Sequence, residues 1–299
     1  MSSNSKSGAK PKLACEVSAD RILAARVADG EGVVSTCAAQ ELSPGSVIPD
    51  LIENNLVRRD SVRAAIQETL ASIGDRSRDV IAVLPDAAVR VALLDFEMLP
   101  SNRDEAEAVV RFRLKKSLPF DVEKARVSYH AQTSGAGVKV VAAVALSSVV
   151  EDYEAAFREA GYSPGMVLPS MLAALGAAEA QRPTLVVKVD ARTTSIAILD
   201  QEQLLLFRTL ENPRGVSVTG EQLAEDVYPS VVFFQDTYHL NIDRIYISGL
   251  AESGGAAPAL RTQTGAEVRE LVSPSQLGSS ASKGVPHWRM AGVVGALLS

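Results

Sequence analysis

The sequence predicts an internally duplicated α/β protein, on three observations. One structural phrase occurs twice: Leu13 to Val27 (LACEVSADRILAARV) and Leu185 to Leu199 (LVVKVDARTTSIAIL) each read as an apolar strand, an acidic residue, a tight polar turn and a second apolar strand. Strand-like and helix-like patterns follow one another in both halves. With 299 residues, 46% of them apolar, the chain can build one large or two medium domains.

Met1 to Lys12 is rich in Ser, Lys and Gly without an apolar run, and reads as a disordered tail, not a signal peptide. After the first strand pair, Asp60 is expected to cap a helix. Its apolar face is Val62, Ala65, Ile66, Thr69, Leu70 and Ile73, and Gly74 stops it. Val80 to Leu84 and Val89 to Phe96 read as strands, the first ended by Pro85. Ser101 and Asp104 form a capping-box-like start for a helix running to about Leu118, acidic at Asp104, Glu105 and Glu107, basic at Arg111, Arg113, Lys115 and Lys116. Leu118-Pro119-Phe120 ends it as a hydrophobic plug. Val127 to Ala131 and Val138 to Leu146 read as strands around a turn at Ser134 to Gly137, and Val149 to Ala160 as a helix stopped by Gly161. Pro169 and Ser170 open an Ala-rich helix through Glu179. Beyond the second hairpin come a strand at Gln203 to Leu210, a helix from Thr219 to about Tyr238 that Pro229 could break, and a buried strand at Ile242 to Ser248. Ala251 to Trp288 is Gly/Ser/Pro-rich around one strand-like piece, Glu267 to Val272, and is the least ordered region expected. Arg289 to Leu298 closes the chain as a small-residue helix.

A net charge of −6 supplies no basic field for nucleic acid. Cys15 and Cys37 stand alone, without a Cys-x-x-Cys or Cys/His cluster, which fits a reducing compartment and encodes no metal site. No apolar stretch approaches the roughly 20 residues that span a bilayer, so direct membrane insertion is not expected. There is no P-loop, GxGxxG, HExxH or Ser/His/Asp signature, and no spacing joins His130, His239 and His287; no catalytic residue is assigned. Taken alone, Arg111 to Lys116 is a solvated helix end and an acid after a strand is a turn former.

The acids Glu16 and Asp190 gain meaning from a third element, Ile245-Tyr246-Ile247-Ser248-Gly249-Leu250-Ala251, a strand running into a glycine turn. Together the three resemble the phosphate-1, phosphate-2 and adenosine motifs of the actin-like ATPase superfamily. Within it the chain resembles the PilM family, cytoplasmic type IV pilus assembly proteins related to FtsA, from about Leu13 to Leu298. Phe96 to Pro100 (FEMLP), the acidic-then-basic helix, Leu118-Pro119-Phe120 followed by Asp121 and Glu123, and Val127-Ser128-Tyr129 resemble the 1C subdomain that this family inserts; Phe157 to Pro164 (FREAGYSP) matches the way out of it. The resemblance implies a duplicated actin-like (RNase H-like) fold: a first half at 13–182 with a 1C-like insertion at about 85–168, and a second half at 183–299.

The nucleotide motifs depart from that pattern. Where the family's first turn has glycine and lysine, this chain has Ser18 and Leu23, and Asp20 adds a negative charge beside an anionic ligand. The second turn, Asp190-Ala191-Arg192-Thr193-Thr194, carries Arg192 in place of glycine, and the adenosine Gly-Gly has become Gly249-Leu250. The loop from Leu210 to Thr219 is too short for a 2B subdomain. Glu16, Ser18, Asp190, Arg192, Thr193, Thr194, Ser248 and Gly249 therefore read as a degenerate nucleotide site, with no cofactor expected. The resemblance implies a cytoplasmic adaptor, peripheral to the inner membrane through its partner. That partner would be the cytosolic N-terminal segment of a PilN-like bitopic protein, held between the 1A-like and 1C-like subdomains. The strand Val80 to Leu84, Arg111, Lys115, Leu118, Pro119 and Phe120 are the walls expected for that groove. Two alternatives stand beside it: a working ATPase in which Glu16 and Asp190 hold Mg·ATP, and the L-type cytoplasmic component of type II secretion. The absence of a transmembrane stretch before Ser299 favours the PilM likeness over the latter. Self-assembly is left open.

Overall fold

Each repeated phrase becomes an antiparallel pair within its own five-stranded sheet. The computed structural model describes residues 10–28, 32–134, 137–251, 255–278, 281 and 284–299; most of the expected N-terminal tail and part of the Ser134 to Gly137 turn lie outside them. In the first half, β1 (Leu13–Val17) pairs with β2 (Arg21–Val27), which pairs with β3 (Val34–Glu41). Helix α1 (Arg59–Ile73) follows and buries the expected face, but Asp60 does not cap it: the cap position is Arg58, without a side-chain cap bond, and Asp60 lies in the first turn; Gly74 ends the helix at φ 74°. β4 (Asp79–Leu84) then lies parallel to β1 on its other side. Both strands are buried on both faces, which is why they read as unbroken apolar runs.

Before the sheet is completed the chain builds a separate layer. β5 (Arg90–Phe96), β6 (Ala125–Ser134) and β7 (Gly137–Leu146) form an antiparallel sheet in the order β5-β7-β6, with α2 (Arg103–Leu114) packed on it. The cap of α2 is Asn102, not Ser101: its side chain accepts from the amides of Asp104 and Glu105. The helix stops at Leu114, short of Leu118, because Ser117 donates both its amide and its hydroxyl to the Leu114 carbonyl, each at 2.9 Å. α3 (Ser147–Glu159) returns along α1, burying Tyr153 and Phe157. β8 (Ser163–Pro169) then completes the first sheet, parallel to β4. This strand was not expected; its two prolines suit an edge, where an amide need not enter the ladder.

α4 (Ser170–Ala174) ends well before Glu179, passing into one 3-10 turn at Leu175–Ala177. The second sheet repeats the first. β9 (Thr184–Val189), β10 (Thr193–Asp200) and β11 (Gln203–Glu211) run antiparallel. After α5 (Gly220–Tyr238), β12 (Arg244–Ser248) lies parallel to β9; after α6 (Ala256–Thr264), β13 (Glu267–Glu270) lies parallel to β12. The orders β3-β2-β1-β4-β8 and β11-β10-β9-β12-β13 are the same topology. Pro229 does not break α5, because it is exposed and so is Glu225, whose carbonyl loses its partner to water rather than to the core. α6 is a correction to the region read as least ordered: Ala256 and Leu260 pack it into the second core.

α7 (Ala291–Leu298) is buried around nearly its whole circumference, as its lack of polar residues requires. It joins a core shared by the two sheets, with Ala14, Leu23 and Ile81 from one and Val186, Ala197 and Tyr246 from the other. The ends of β1 and β9 therefore face one cleft.

Candidate functional site

Glu16, near the end of β1, and Asp190, just past β9, meet in the buried interior between the halves, around a residue of the second half, Lys188. Its Nζ lies 3.1 Å from Asp190 Oδ2, 3.8 Å from Glu16 Oε1 and 3.8 Å from Asp86 Oδ2. Asp86 stands in the turn after β4, where its Oδ1 accepts from the Met171 amide at 2.7 Å and its Oδ2 from Ser195 Oγ at 2.8 Å. Ser170 Oγ donates to Glu16 Oε1, and the Ala191 amide to Asp190 Oδ1 at 2.9 Å. All four charged groups are buried. Burial opposes the charge of Lys188, yet Asp190, Asp86 and Glu16 together hold its pKa above the ordinary lysine value. Burial raises the pKa of Glu16 and Asp86, while for Asp190 the attraction of Lys188 and Arg21 outweighs burial and lowers it. The cluster thus binds β1 and the β4 turn of one half to β9 and β10 of the other through an internal cation.

The remaining motif residues are engaged within the chain. Ser18 Oγ donates to Asp20 Oδ1 at 2.9 Å and to the Arg21 carbonyl at 3.1 Å; Arg21 clasps Asp20 with both carboxylate oxygens within 3.0 Å of Nη1. Ser248 Oγ and the Gly249 amide both donate to the Trp288 carbonyl, at 2.9 and 2.8 Å. Gly249 has φ 89°, and a Cβ there would drive into the Val189 carbonyl oxygen. At the start of α7, a Cβ on Gly292 would come within 2.7 Å of Glu16 Oε2, so that helix rests directly on the acid. Arg192 and Thr193 line a cleft of about 800 Å³ between the halves. Thr194 is buried, and its hydroxyl makes no hydrogen bond.

The structure thus joins Glu16 and Asp190 in the interior, sets Arg192 and Thr193 on the wall of the cleft, and ties Ser248 and Gly249 to the segment entering α7. Lys188, Asp86, Ser170 and Ser195 were missed in the sequence. Lys188 had a signal: it is the one charge inside the apolar run Leu185 to Val189, and a buried lysine needs carboxylates around it. Among the described residues, no group of three or more His, Cys, Asp or Glu side chains is set to hold a metal ion.

A second groove, of about 290 Å³, lies where the edge strand β8 of the first sheet approaches the edge strand β6 of the inserted sheet. Leu84, Val127, Ala143, Val167 and Leu168 make it apolar, with Arg126 and Ser128 among its lining. Of the walls expected from sequence, Leu84 lies here. Arg111 pairs with Glu107 at 2.8 Å and donates to the Val122 carbonyl at 3.0 Å, Lys115 is exposed, and Leu118 and Phe120 pack on the inserted-sheet core. Pro119 lines the larger cleft instead.

Two sheets of one topology, a shared core and paired acidic turns at the intervening cleft define the class: this is a duplicated α/β chain with the actin-like fold. Within that class it is similar to a chain of the PilM–PilN type IV pilus biogenesis complex, at 20% identity and TM-score 0.75 over 96% of this chain and 97% of that one. It is also similar to the ethanolamine utilization protein EutJ of Carboxydothermus hydrogenoformans (12% identity, TM-score 0.52, 96% and 89% covered). The cytoplasmic domain of EpsL, an inner-membrane component of the Vibrio cholerae type II secretion system, gives 12%, 0.51, 96% and 92%. No protein-family model and no curated protein matches the sequence.

Proposed function

We propose that this protein is a non-hydrolysing adaptor of a type IV pilus or related envelope machine. It would bind the cytosolic N-terminal segment of a PilN-like membrane protein in the groove between β6 and β8. The observation that carries the reading is Lys188: the carboxylates that would face Mg·ATP already surround a cation belonging to the chain. The residues present do not suit the nucleotide. Ser18 brings a Cβ and Asp20 a charge to the first turn, and the Ser248–Gly249 donors are spent on Trp288. The partner reading is supported by the groove itself, because an extended peptide is recognised by strand edges and apolar pockets, and this groove offers two edges and an apolar floor. Such an adaptor would sit on the cytoplasmic face of the inner membrane through its partner; among the described residues no helix is long and apolar enough to cross a membrane.

The test is calorimetric titration with a synthetic N-terminal peptide of the PilN-like protein. The expected result is saturable binding, lost in Ser128→Trp, which fills the groove from an exposed position. Equal binding to that variant would sink the placement. The unpartnered Thr194 hydroxyl favours one rival, a nucleotide-binding protein; that reading requires Mg·ATP binding abolished by Asp190→Ala.

A further inference from the structure

We infer that β11 is a second docking edge, which takes an extended segment of a partner protein carrying alternating apolar and acidic side chains. β11 ends its sheet. The bond from the Asn212 amide to the Arg192 carbonyl, 2.8 Å, sets the phase of its ladder: Arg208 and Leu210 turn their amides toward β10, and Phe207, Thr209 and Glu211 turn N–H and C=O outward. The start of the strand is already covered. The Leu204 amide donates to Gln132 Oε1 at 3.1 Å, Gln203 Nε2 to the Thr133 carbonyl at 3.0 Å, and Tyr238 Oη to the Leu205 carbonyl at 3.1 Å. β5 also packs against β11, and Phe207, like Leu93 of β5, packs against the shared core; the wall of the 800 Å³ cleft is the continuous run Phe207 to Pro213. A five-residue strand, about 17 Å long, would meet the outward positions of Thr209 and Glu211.

Charge selects the occupant. Arg90 from the inserted sheet and Arg192 from the second hairpin line the cleft and are exposed, and the charge of Arg192 is felt by Asp50 on the same cleft. Of the cleft's acids Asp86 faces Lys188, while Asp50, whose Oδ1 accepts the Ile52 and Glu53 amides and whose charge Arg192 attracts, and exposed Glu211 stand against three lining arginines, Arg90, Arg192 and Arg208. Val91, Phe207 and Leu210 provide the apolar contacts. The site is separate from the β6/β8 groove and does not depend on what binds there.

The experiment is selection of a displayed library of random ten-residue peptides on the full chain, with affinities then measured against variants. Thr209→Pro removes an outward amide and leaves the β10 ladder intact; Arg90→Glu/Arg192→Glu reverses the charge and serves if the proline variant does not fold. The expected result is enrichment of alternating acidic and apolar peptides that lose about tenfold or more in affinity for either variant and keep full affinity for Ser128→Trp. No enrichment, peptides indifferent to both variants, or binding lost only in Ser128→Trp would overturn the proposal. So would a dimer of the wild type, seen by sedimentation, that Thr209→Pro abolishes, since the occupant would then be a second copy.

Discussion

Removing the Lys188 charge exposes the energetics of the buried cluster between the halves. Lys188→Met leaves Glu16, Asp86 and Asp190 buried without their shared counter-charge and is expected to cost about 3–5 kcal/mol at pH 8. The loss has a definite pH sense. Without the lysine Glu16 and Asp86 lose the attraction that opposes burial, so their raised folded pKa values rise further, and the variant is least penalised at low pH and loses stability as pH rises through those values. In the wild type, Glu16 and Asp86 already act in that sense, while lowered Asp190 acts oppositely: its contribution is present at neutral pH and is lost as pH falls through its depressed pKa. Thermal melts of both proteins from pH 5 to 8 check this; a constant difference would mean the lysine makes no ionic contribution. Gly249→Ala should cost about 2 kcal/mol or more, through its positive φ and the Val189 carbonyl, and denaturant titration would register it. At this scale Glu16 and Asp190 stood out because each is an acid beside the turn of a repeated phrase, but the hairpin registers set them two residues apart: Lys188 occupies the place of Glu16, and Asp190 that of Ser18. Asp86 and Ser195 were not, since a side chain more than a hundred residues from its partner leaves no local pattern.

Among the elements, those with strong helical periodicity were legible, as in α1, α3 and α5. α5 opens with a capping box, Gln222 N to Thr219 Oγ1 at 3.3 Å and Thr219 N to Gln222 Oε1 at 3.1 Å. α2 rests on the Asn102 cap, and Asn102→Ala is expected to destabilise that helix by about 1 kcal/mol. Hydrogen exchange should show the loss confined to the first turns of α2; no change would return the cap to Ser101. β3 and β8 escaped notice for one reason: both flank a sheet, half exposed, so neither alternates cleanly nor forms an apolar run. α6 was hidden by its glycine-rich surroundings, and only packing against the second core accounts for it.

For the whole molecule, duplication was readable because topology, unlike identity, is written in the order of strand and turn signals. The two halves are joined by α7 and by an ionic cluster whose members come from both, so cleft and core are one mechanical unit. As the proposed adaptor, that unit would hold a lysine in place of a nucleotide and present strand edges to partners. The most direct test is calorimetric titration of the wild-type protein with Mg·ATP, paired with thermal melting. No heat and no shift in melting temperature up to millimolar ATP is the expected result. Micromolar binding, with the roughly 2.7 kcal/mol of added stability that ligand at a hundred times its dissociation constant confers, would contradict it: the chain would then be a nucleotide-binding protein in spite of Lys188.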